Sequence, residues 1–262
     1  MPELPPLVDS HAHLAMPEFD HDRDAVRERF RAAGGALLIH ASDDLPAARA
    51  ARELAQRYGD WFVAGVHPHQ ARALTAAERD ELAALCADPR CAALGEIGLD
   101  YHYDTQPRAV QRALYDEQLR FAADRGLPVV LHAREADDDI IAGAQPYLTA
   151  LPPGILHCWS GSTTLRAAFL PHGWLFSVAG PLTYPRAQAL RAAARDLPAD
   201  RLLTETDAPY LAPQRQRGRR NEPALVAELL PVLAEVRGEP VAALAAAILA
   251  NAQRFCARRR AQ

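Results

Sequence analysis

Lysine is absent from the 262-residue sequence, so all 29 basic side chains are arginine. This absence excludes a lysine Schiff base as a covalent catalyst. It also excludes a P-loop, because that nucleotide-binding motif needs a lysine at the phosphates. A carboxylated lysine that bridges two metal ions is excluded for the same reason. If two metal ions bind to this protein, an ordinary carboxylate must bridge them.

The sequence is also poor in cysteine and has no long apolar run. The four cysteines form no C-x-x-C pair and no evident disulfide framework, which predicts a reducing cytoplasm. No uncharged apolar segment approaches the roughly 20 residues of a membrane span, and residues 1–10 lack the pattern of a signal peptide. The net charge of -4 does not by itself indicate a polyanionic partner. We therefore expect a cytoplasmic protein with no membrane association.

Short β-rich apolar runs alternate along the chain with stretches that have helical apolar spacing. The eight runs are 7–14, 36–42, 61–69, 91–100, 128–135, 154–161, 174–180 and 201–211. Strands that alternate with helices predict a parallel sheet, and eight such units predict an α/β fold of the (β/α)8 TIM barrel type. The alternative is an open, doubly wound sheet. We expect one domain over residues 1–262.

Polar side chains collect at the ends of six of these runs. The residues are His11, His13, His67, His69, Glu96, Asp100, His132, Arg134, His157, Glu205 and Asp207. Because a barrel builds its active site at the carboxyl ends of its strands, we expect these side chains on one rim. Burial by chance would scatter them along the strands instead.

The first run carries two histidines with one residue between them. In an extended segment His11 and His13 point to the same face and can bind one divalent ion. The six candidate metal ligands are His11, His13, Glu96, His132, His157 and Asp207. Their number and type suit two divalent ions such as Mg²⁺, Mn²⁺ or Zn²⁺.

The expected partition of the ligands places His11, His13 and Asp207 on one ion. His132 and His157 then bind the other ion, and Glu96 bridges the two. The glycines on both sides of that glutamate allow close approach around its carboxylate.

Two of the rim residues are candidates for catalytic roles beside the ions. Arg134 shares a face with His132 and is a candidate bidentate clamp for a phosphate. Asp207 is a candidate to orient the attacking water or to take its proton.

Taken together, these segments resemble the TatD family of metal-dependent deoxyribonucleases, which are amidohydrolase-like barrels. The resemblance runs nearly from end to end. It covers DSHAHL, GVHPH, GEIGLDYH, LHAREA, HCWSG, TETDAPYLAP, RGRRNEP and NAQRF, in the order and spacing of the family.

This resemblance implies a (β/α)8 barrel with a two-metal centre and 3′→5′ exonuclease or phosphodiesterase activity on DNA, with single-stranded ends as the expected substrate. It also implies the six ligands above and a further active-site histidine near the phosphate, His67. Trp159 stands where the family usually has phenylalanine, and the segment FSVAGPLTYP carries an extra proline.

The sequence leaves two interpretations open for several residues. Arg134 is either a phosphate clamp or a partner in a structural ion pair. His69 either faces the site or is turned away by the proline before it, and Glu205 is expected to support a ligand rather than to bind metal. Trp159 either stacks on a base or belongs to the core.

Two arginine-rich segments are also open to interpretation. The loop 215–223 either tracks a nucleic-acid backbone or is a solvated loop in which Asn221 and Glu222 cap a helix. The run at 258–260 is predicted to be a solvated tail.

Two other functions stay open from the sequence. A hydrolase of the same architecture can cleave a C–N or ester bond in a small molecule or an aminoacyl conjugate, because a metal-activated hydroxide attacks carbonyl and phosphoryl centres alike. The other alternative is a metal-binding protein without catalysis, although such a protein has no need of all six ligands.

Overall fold

The structure is a computed structural model that describes residues 4–257. The predicted solvated tail at 258–260 lies outside the described residues. Both ends of the predicted domain 1–262 lie outside them as well.

Eight parallel strands form one sheet whose order follows the chain. They are β1 Leu7–Ala12, β2 Gly35–His40, β3 Trp61–Ala64, β4 Cys91–Asp100, β5 Val129–Arg134, β6 Ile155–Leu156, β7 Leu175–Val178 and β8 Leu202–Thr204. A parallel bridge between Ala12 and Ala208 joins the first strand to the segment after the last. The sheet therefore nearly closes, which confirms the predicted (β/α)8 barrel and excludes the open doubly wound sheet.

Helices connect each strand to the next. Within residues 4–257 they are α1 Arg23–Ala32, α2 Leu45–Tyr58, α3 Ala76–Ala87, α4 Arg108–Asp124, α5 Asp137–Ala144, α6 Thr163–Phe169, α7 Gln188–Arg195, α8 Val226–Arg237 and α9 Val241–Ala257. The first seven alternate with the strands, and α8 and α9 follow β8. Of the helices in this range, none has both the length and the apolar character needed to cross a membrane.

Local sequence signals determine where several helices begin and end. The Asp44 carboxylate accepts a hydrogen bond from the Ala47 N–H at the start of α2. Gly59 ends that helix in the left-handed conformation at φ 78°, which an L side chain rarely adopts. Thr75 and Glu78 form a reciprocal capping box at the start of α3.

The core lies between the strands and the helices that surround them. All ten residues of β4 are buried, and Trp174, Tyr115, Phe30 and Phe62 are among the largest fully buried side chains. A strand covered on both faces needs such a continuous run of buried residues.

Trp159 belongs to this core. Its side chain is 3% exposed, its indole N–H donates to the Ser162 carbonyl at 3.1 Å, and its ring packs against Phe176. Of the two interpretations of this tryptophan, the structure supports the core residue and not the base-stacking one.

Three strands stop well before the ends of their predicted runs, and one of them, β6, ends at Leu156 rather than at residue 161. β3 ends at Ala64 rather than at His69, because Pro68 has no N–H for the sheet and begins a 3-10 turn over Pro68–Gln70. β8 ends at Thr204, and the residues up to 211 form a loop in which Asp207 has a positive φ of 56°. These loops carry polar side chains away from the sheet and over the carboxyl end of the barrel.

Candidate metal centre

A cavity of about 800 Å³ lies at the carboxyl ends of the strands. Seven of the eight predicted site residues line it, namely His13, His67, Glu96, His132, Arg134, His157 and Asp207. The eighth, His11, is 1% exposed and lies against Glu96 beneath them. The fold therefore brings all eight predicted residues to one end of the barrel.

The buried carboxylate of Glu96 stands at the centre of this cluster. One of its oxygens, Oε1, lies 2.8 Å from His132 Nδ1, 3.0 Å from His157 Nε2 and 3.5 Å from His67 Nε2. These three imidazoles reach it from β5 and from the loops after β6 and β3. One oxygen atom is thus shared by ring nitrogens from three elements.

The other oxygen of Glu96, Oε2, faces the histidines of the first strand. It lies 3.1 Å from His11 Nε2 and 3.8 Å from His13 Nε2. Those two ring nitrogens are 3.2 Å apart, and Asp207 Oδ1 lies 3.5 Å from that of His13. The two oxygens of one carboxylate therefore face two separate groups of nitrogen donors.

The pKa values of Glu96 and His13 favour an ionised carboxylate and a protonated imidazole, whereas burial lowers the pKa of His67. Burial opposes the ionisation of Glu96, but the surrounding histidines hold its pKa well below the ordinary value. Burial also opposes the charged form of His13, but Asp43 and Asp207 raise its pKa to about 9. Positive charge within the cluster is therefore stabilised by the carboxylates.

The donor set fits divalent metal ions. Its groups of three, each with ligand atoms within 4.8 Å of one another, are His11–His13–Asp207, His11–Glu96–His157, His67–Glu96–His132 and His13–Asp43–Glu96. Two imidazole nitrogens 3.2 Å apart, as in His11 and His13, need a proton or a cation between their lone pairs. Imidazole nitrogen combined with carboxylate oxygen is a suitable ligand set for Zn²⁺ and Mn²⁺.

Glu205 contacts a predicted ligand from behind. Its Oε1 lies 3.1 Å from His157 Nδ1 and accepts the Cys158 N–H at 2.6 Å, while its Oε2 accepts from the Ser177 hydroxyl at 2.6 Å. When the N–H at His157 Nδ1 donates to this carboxylate, the lone pair of Nε2 is left free to bind a metal ion. This geometry agrees with the supporting role predicted for Glu205.

The glycines around Glu96 allow close contact between strands rather than contact with the carboxylate. A Cβ at Gly95 would stand 2.8 Å from Val130 Cβ, and one at Gly98 would stand 2.0 Å from the His132 carbonyl oxygen. Gly98 also has a φ of 146°, which a side chain would strain. These glycines let β4 approach β5, and that approach brings His132 to Glu96.

His69 faces the site although a proline precedes it. Its Nε2 lies 2.8 Å from Asp100 Oδ2, and the same oxygen lies 3.1 Å from His132 Nε2. Asp100 is fully buried and accepts hydrogen bonds from the N–H groups of His102 and Tyr103 as well. The interpretation that turns His69 away is therefore wrong.

Arg134 is exposed at the edge of the cavity. Among the residues that the structure describes, its guanidinium makes no ion pair and no hydrogen bond. The alternative interpretation, a structural ion pair, is therefore wrong for this part of the chain, and the guanidinium is available to an external anion.

The loop 215–223 is more firmly attached than a solvated loop. Arg220 binds the Asp22 carboxylate through two nitrogens, at 2.8 and 2.7 Å, and Arg217 lies over the ring of Tyr184. Glu222 does not cap a helix through its side chain. The predicted capping is wrong at this residue, because its carboxylate binds Arg29 at 2.8 and 2.6 Å.

Asn221 does not cap the following helix but holds the loop after β8. Its side-chain N–H₂ donates to the carbonyls of Thr206 at 2.8 Å and Tyr210 at 2.6 Å, while its Oδ1 accepts the Glu222 N–H. Asp207 lies in the chain between Thr206 and Tyr210, whose carbonyls Asn221 binds. A side chain from a distant loop thus positions one of the predicted ligands.

Two kinds of site residue escaped the sequence analysis. Asp43, whose Oδ1 lies 3.4 Å from His13 Nδ1, follows β2 and could have been found by the same strand-end rule. Tyr103 and Tyr210 also line the cavity, but nothing in their spacing distinguishes them from core aromatics.

Comparison with known proteins agrees with this geometry. The family described as "TatD related DNase" matches residues 8–257. A protein of Cronobacter sakazakii named "3'-5' ssDNA/RNA exonuclease TatD" is 38% identical over 255 residues, which cover 95% of this chain and 97% of that protein. A protein of Bacillus subtilis named "Uncharacterized metal-dependent hydrolase YabD" is 32% identical over 95% of this chain and 98% of its own length.

A solved structure extends the likeness to three dimensions. The TatD homologue YJJV of Escherichia coli K12 superposes with a TM-score of 0.88 at 32% identity, covering 95% of this chain and 97% of that one. Since the family match covers nearly all of the chain and its relatives share both sequence and fold, the chain belongs to the TatD-related deoxyribonuclease family.

Proposed function

We propose that the protein is a divalent-metal-dependent 3′→5′ exodeoxyribonuclease that hydrolyses phosphodiester bonds at the ends of single-stranded DNA. The observation that carries this proposal is the buried Glu96 carboxylate, whose two oxygens face separate groups of imidazoles at the active-site end of a barrel. Relatives at 35–39% identity are named 3'-5' ssDNA/RNA exonucleases, which supports the substrate class and adds RNA to the test.

The proposed metal ligands are the six residues predicted from the sequence. His11, His13 and Asp207 would hold one ion, His132 and His157 would hold the other, and Glu96 would serve both. When bound, two divalent ions make water more acidic and neutralise charge on a phosphoryl group. The ions proposed are Mg²⁺, Mn²⁺ or Zn²⁺.

The remaining roles belong to side chains that face the cavity. Arg134 binds a phosphate oxygen through its free guanidinium, and His67 contacts the same phosphate from the loop after β3. Asp207 orients the attacking water and accepts its proton. The water oxygen bonds to phosphorus, the bond to the 3′ oxygen of the preceding nucleotide breaks, and that oxygen takes up a proton from solvent to leave as a hydroxyl.

We also propose that the barrel domain spans residues 1–262 and that the protein works in the cytoplasm. The cysteine spacing, which indicates no disulfide framework, supports this compartment. Fractionation of cells that express the protein tests it, and recovery from the membrane or outside the cell would contradict it.

The activity is tested with single-stranded DNA and RNA oligonucleotides labelled at the 5′ or the 3′ end. Each is incubated with metal-free protein and then with Mg²⁺, Mn²⁺ or Zn²⁺, beside the Glu96→Ala protein. Glu53→Ala is the matched control, because Glu53 is an exposed residue of α2 outside the cavity.

We expect metal-dependent, stepwise shortening of the 5′-labelled strand by the native and Glu53→Ala proteins only. Equal activity in the Glu96→Ala protein would contradict the assignment of the site. If no metal supports shortening while an ester or amide is hydrolysed, the protein is the alternative hydrolase of C–N or ester bonds.

A further inference from the structure

Large apolar side chains are rarely exposed in this protein, and the exceptions are concentrated at the cavity. Among the described residues, those that are exposed are Leu4 at 58%, Tyr103 at 64% and Tyr210 at 49%. Both tyrosines line the cavity of the candidate metal centre, whereas Leu4 does not. Exposed aromatic rings at the mouth of a cavity are more typical of binding than of folding.

Tyr103 stands on the turn after β4. Its N–H donates to the Asp100 carboxylate at 2.9 Å, which fixes the turn. The ring meets His69 edge to face at 5.5 Å and His102 at 4.8 Å. Within the described part of the chain its hydroxyl has no hydrogen-bond partner, so polar contacts do not explain its position.

Tyr210 stands on the loop after β8, beside the other end of the metal centre. Its ring lies 6.3 Å from that of His13, and within residues 4–257 its hydroxyl makes only a weak contact of 3.7 Å with the Met16 sulfur. Asn221 holds its carbonyl oxygen at 2.6 Å. Both tyrosines line the same cavity, one on the turn after β4 and the other on the loop after β8.

We propose that Tyr103 and Tyr210 form an aromatic clamp that stacks on the unpaired nucleobases at the 3′ end of the substrate. This inference rests on the proposed function for its substrate class. The carboxylates of the cavity wall offer little electrostatic attraction to a neutral nucleobase. An aromatic ring, in contrast, stacks on any base. A base inside a duplex has no free face to offer, so the clamp selects single-stranded ends.

Binding without turnover tests the clamp directly. The probe is a single-stranded DNA whose 3′-terminal base is 2-aminopurine, a fluorophore that stacking quenches. It is mixed with metal-free protein, and separately with Mn²⁺-loaded protein when a terminal phosphorothioate linkage slows hydrolysis. We expect quenching in both forms of the native protein.

Substitution of the rings separates stacking from charge. Tyr103→Ala and Tyr210→Ala should each weaken binding by about 5- to 150-fold, the range for one stacked base, and this factor should not change with salt. Phe at either position should bind like the native protein. Arg134→Ala should lose affinity by a factor that shrinks as salt increases. Leu4→Ala, an exposed residue away from the cavity, is the matched control.

A substrate with an abasic 3′-terminal nucleotide gives the second readout. The native enzyme should show a raised KM on it, and the alanine substitutions should add little to that loss. If the native protein quenches the probe but degrades no nucleic acid, the result supports the aromatic clamp and contradicts the proposed exonuclease activity. If the enzyme degrades DNA while the alanine variants keep the native KM and quenching, the result contradicts the aromatic clamp and supports the proposed exonuclease activity.

Discussion

Asn221 offers a sharp test of how the barrel holds its metal ligands. It is fully buried, and its side chain makes three hydrogen bonds to the backbone, at 2.8, 2.6 and 2.9 Å. Two of them hold the carbonyls on either side of Asp207. We predict that Asn221→Ala loosens this loop and weakens metal binding as well as the fold.

The expected loss of stability follows from the bonds removed. A buried neutral hydrogen bond contributes about 1 kcal/mol net, so three bonds correspond to about 3 kcal/mol of unfolding free energy. The metal affinity should fall by about 10- to 100-fold, as is typical when a group that orients a ligand is lost.

Asn251 in α9 provides a matched control. It is 2% exposed, its N–H₂ donates to the carbonyls of Ala199 and Leu202 at 2.8 and 2.9 Å, and its Oδ1 accepts from Arg254 at 2.8 Å. It therefore makes a similar set of bonds, but at the amino end of β8, away from Asp207. Asn251→Ala should lose a similar unfolding free energy and keep the native metal affinity.

Urea unfolding of the metal-free proteins gives the first quantity, and calorimetric titration with Mn²⁺ gives the second. If both asparagine variants lose metal affinity equally, general loosening of the barrel explains the effect. If Asn221→Ala keeps the native affinity despite its loss of stability, Asn221 does not position Asp207, and the reasoning is refuted.

Three further predictions concern the supporting contacts and the ions. Glu205→Gln should lower Mn²⁺ affinity about 10- to 100-fold in titrations without changing the circular dichroism, because His157 loses its carboxylate partner. Burial opposes the ionisation of Asp60, but hydrogen bonds to His40 and to Arg27 hold its pKa below the ordinary value. These bonds therefore stabilise the fold above about pH 4, and that stability is lost as pH falls through the folded pKa. Asp60→Asn should cost about 3 kcal/mol in urea at pH 7 and progressively less below pH 4. With each metal ion at a hundredfold its Kd, chelation should lower the free energy of unfolding by about 2.7 kcal/mol per site, and the loss should be smaller in the Glu96→Ala protein.

The fold and most of the metal centre could be predicted because both rest on local patterns. Strand-end histidines such as His11 and His132 follow apolar runs directly, and the carboxyl ends of parallel strands meet whatever the loops do. The predicted ends of β3, β6 and β8 were wrong, because a turn at Pro68 and the loops that carry His157 and Asp207 leave the sheet earlier than the apolar runs end.

The supporting residues could not be predicted because their partners lie far away in the sequence. Asn221 holds a loop through contacts 11 and 15 positions away, and neither carbonyl has a sequence signature. Tyr103 and Tyr210 look like core residues until the fold shows that they are exposed. Burial and long-range contact are properties of the folded chain rather than of a motif.

The charges at the rim link metal binding to substrate binding. Four carboxylates line the cavity, on Asp43, Glu96, Asp100 and Asp207, while Arg134 brings the one arginine of that lining. In the metal-free site, protonated histidines such as His13, whose pKa is raised to about 9, offset only part of this negative charge, so a phosphate meets weak attraction at best. Two divalent ions bring four positive charges, balance the four carboxylates and leave the guanidinium to attract the phosphate. Affinity for a nucleic acid should thus rise with metal occupancy, while the aromatic contribution to binding stays constant.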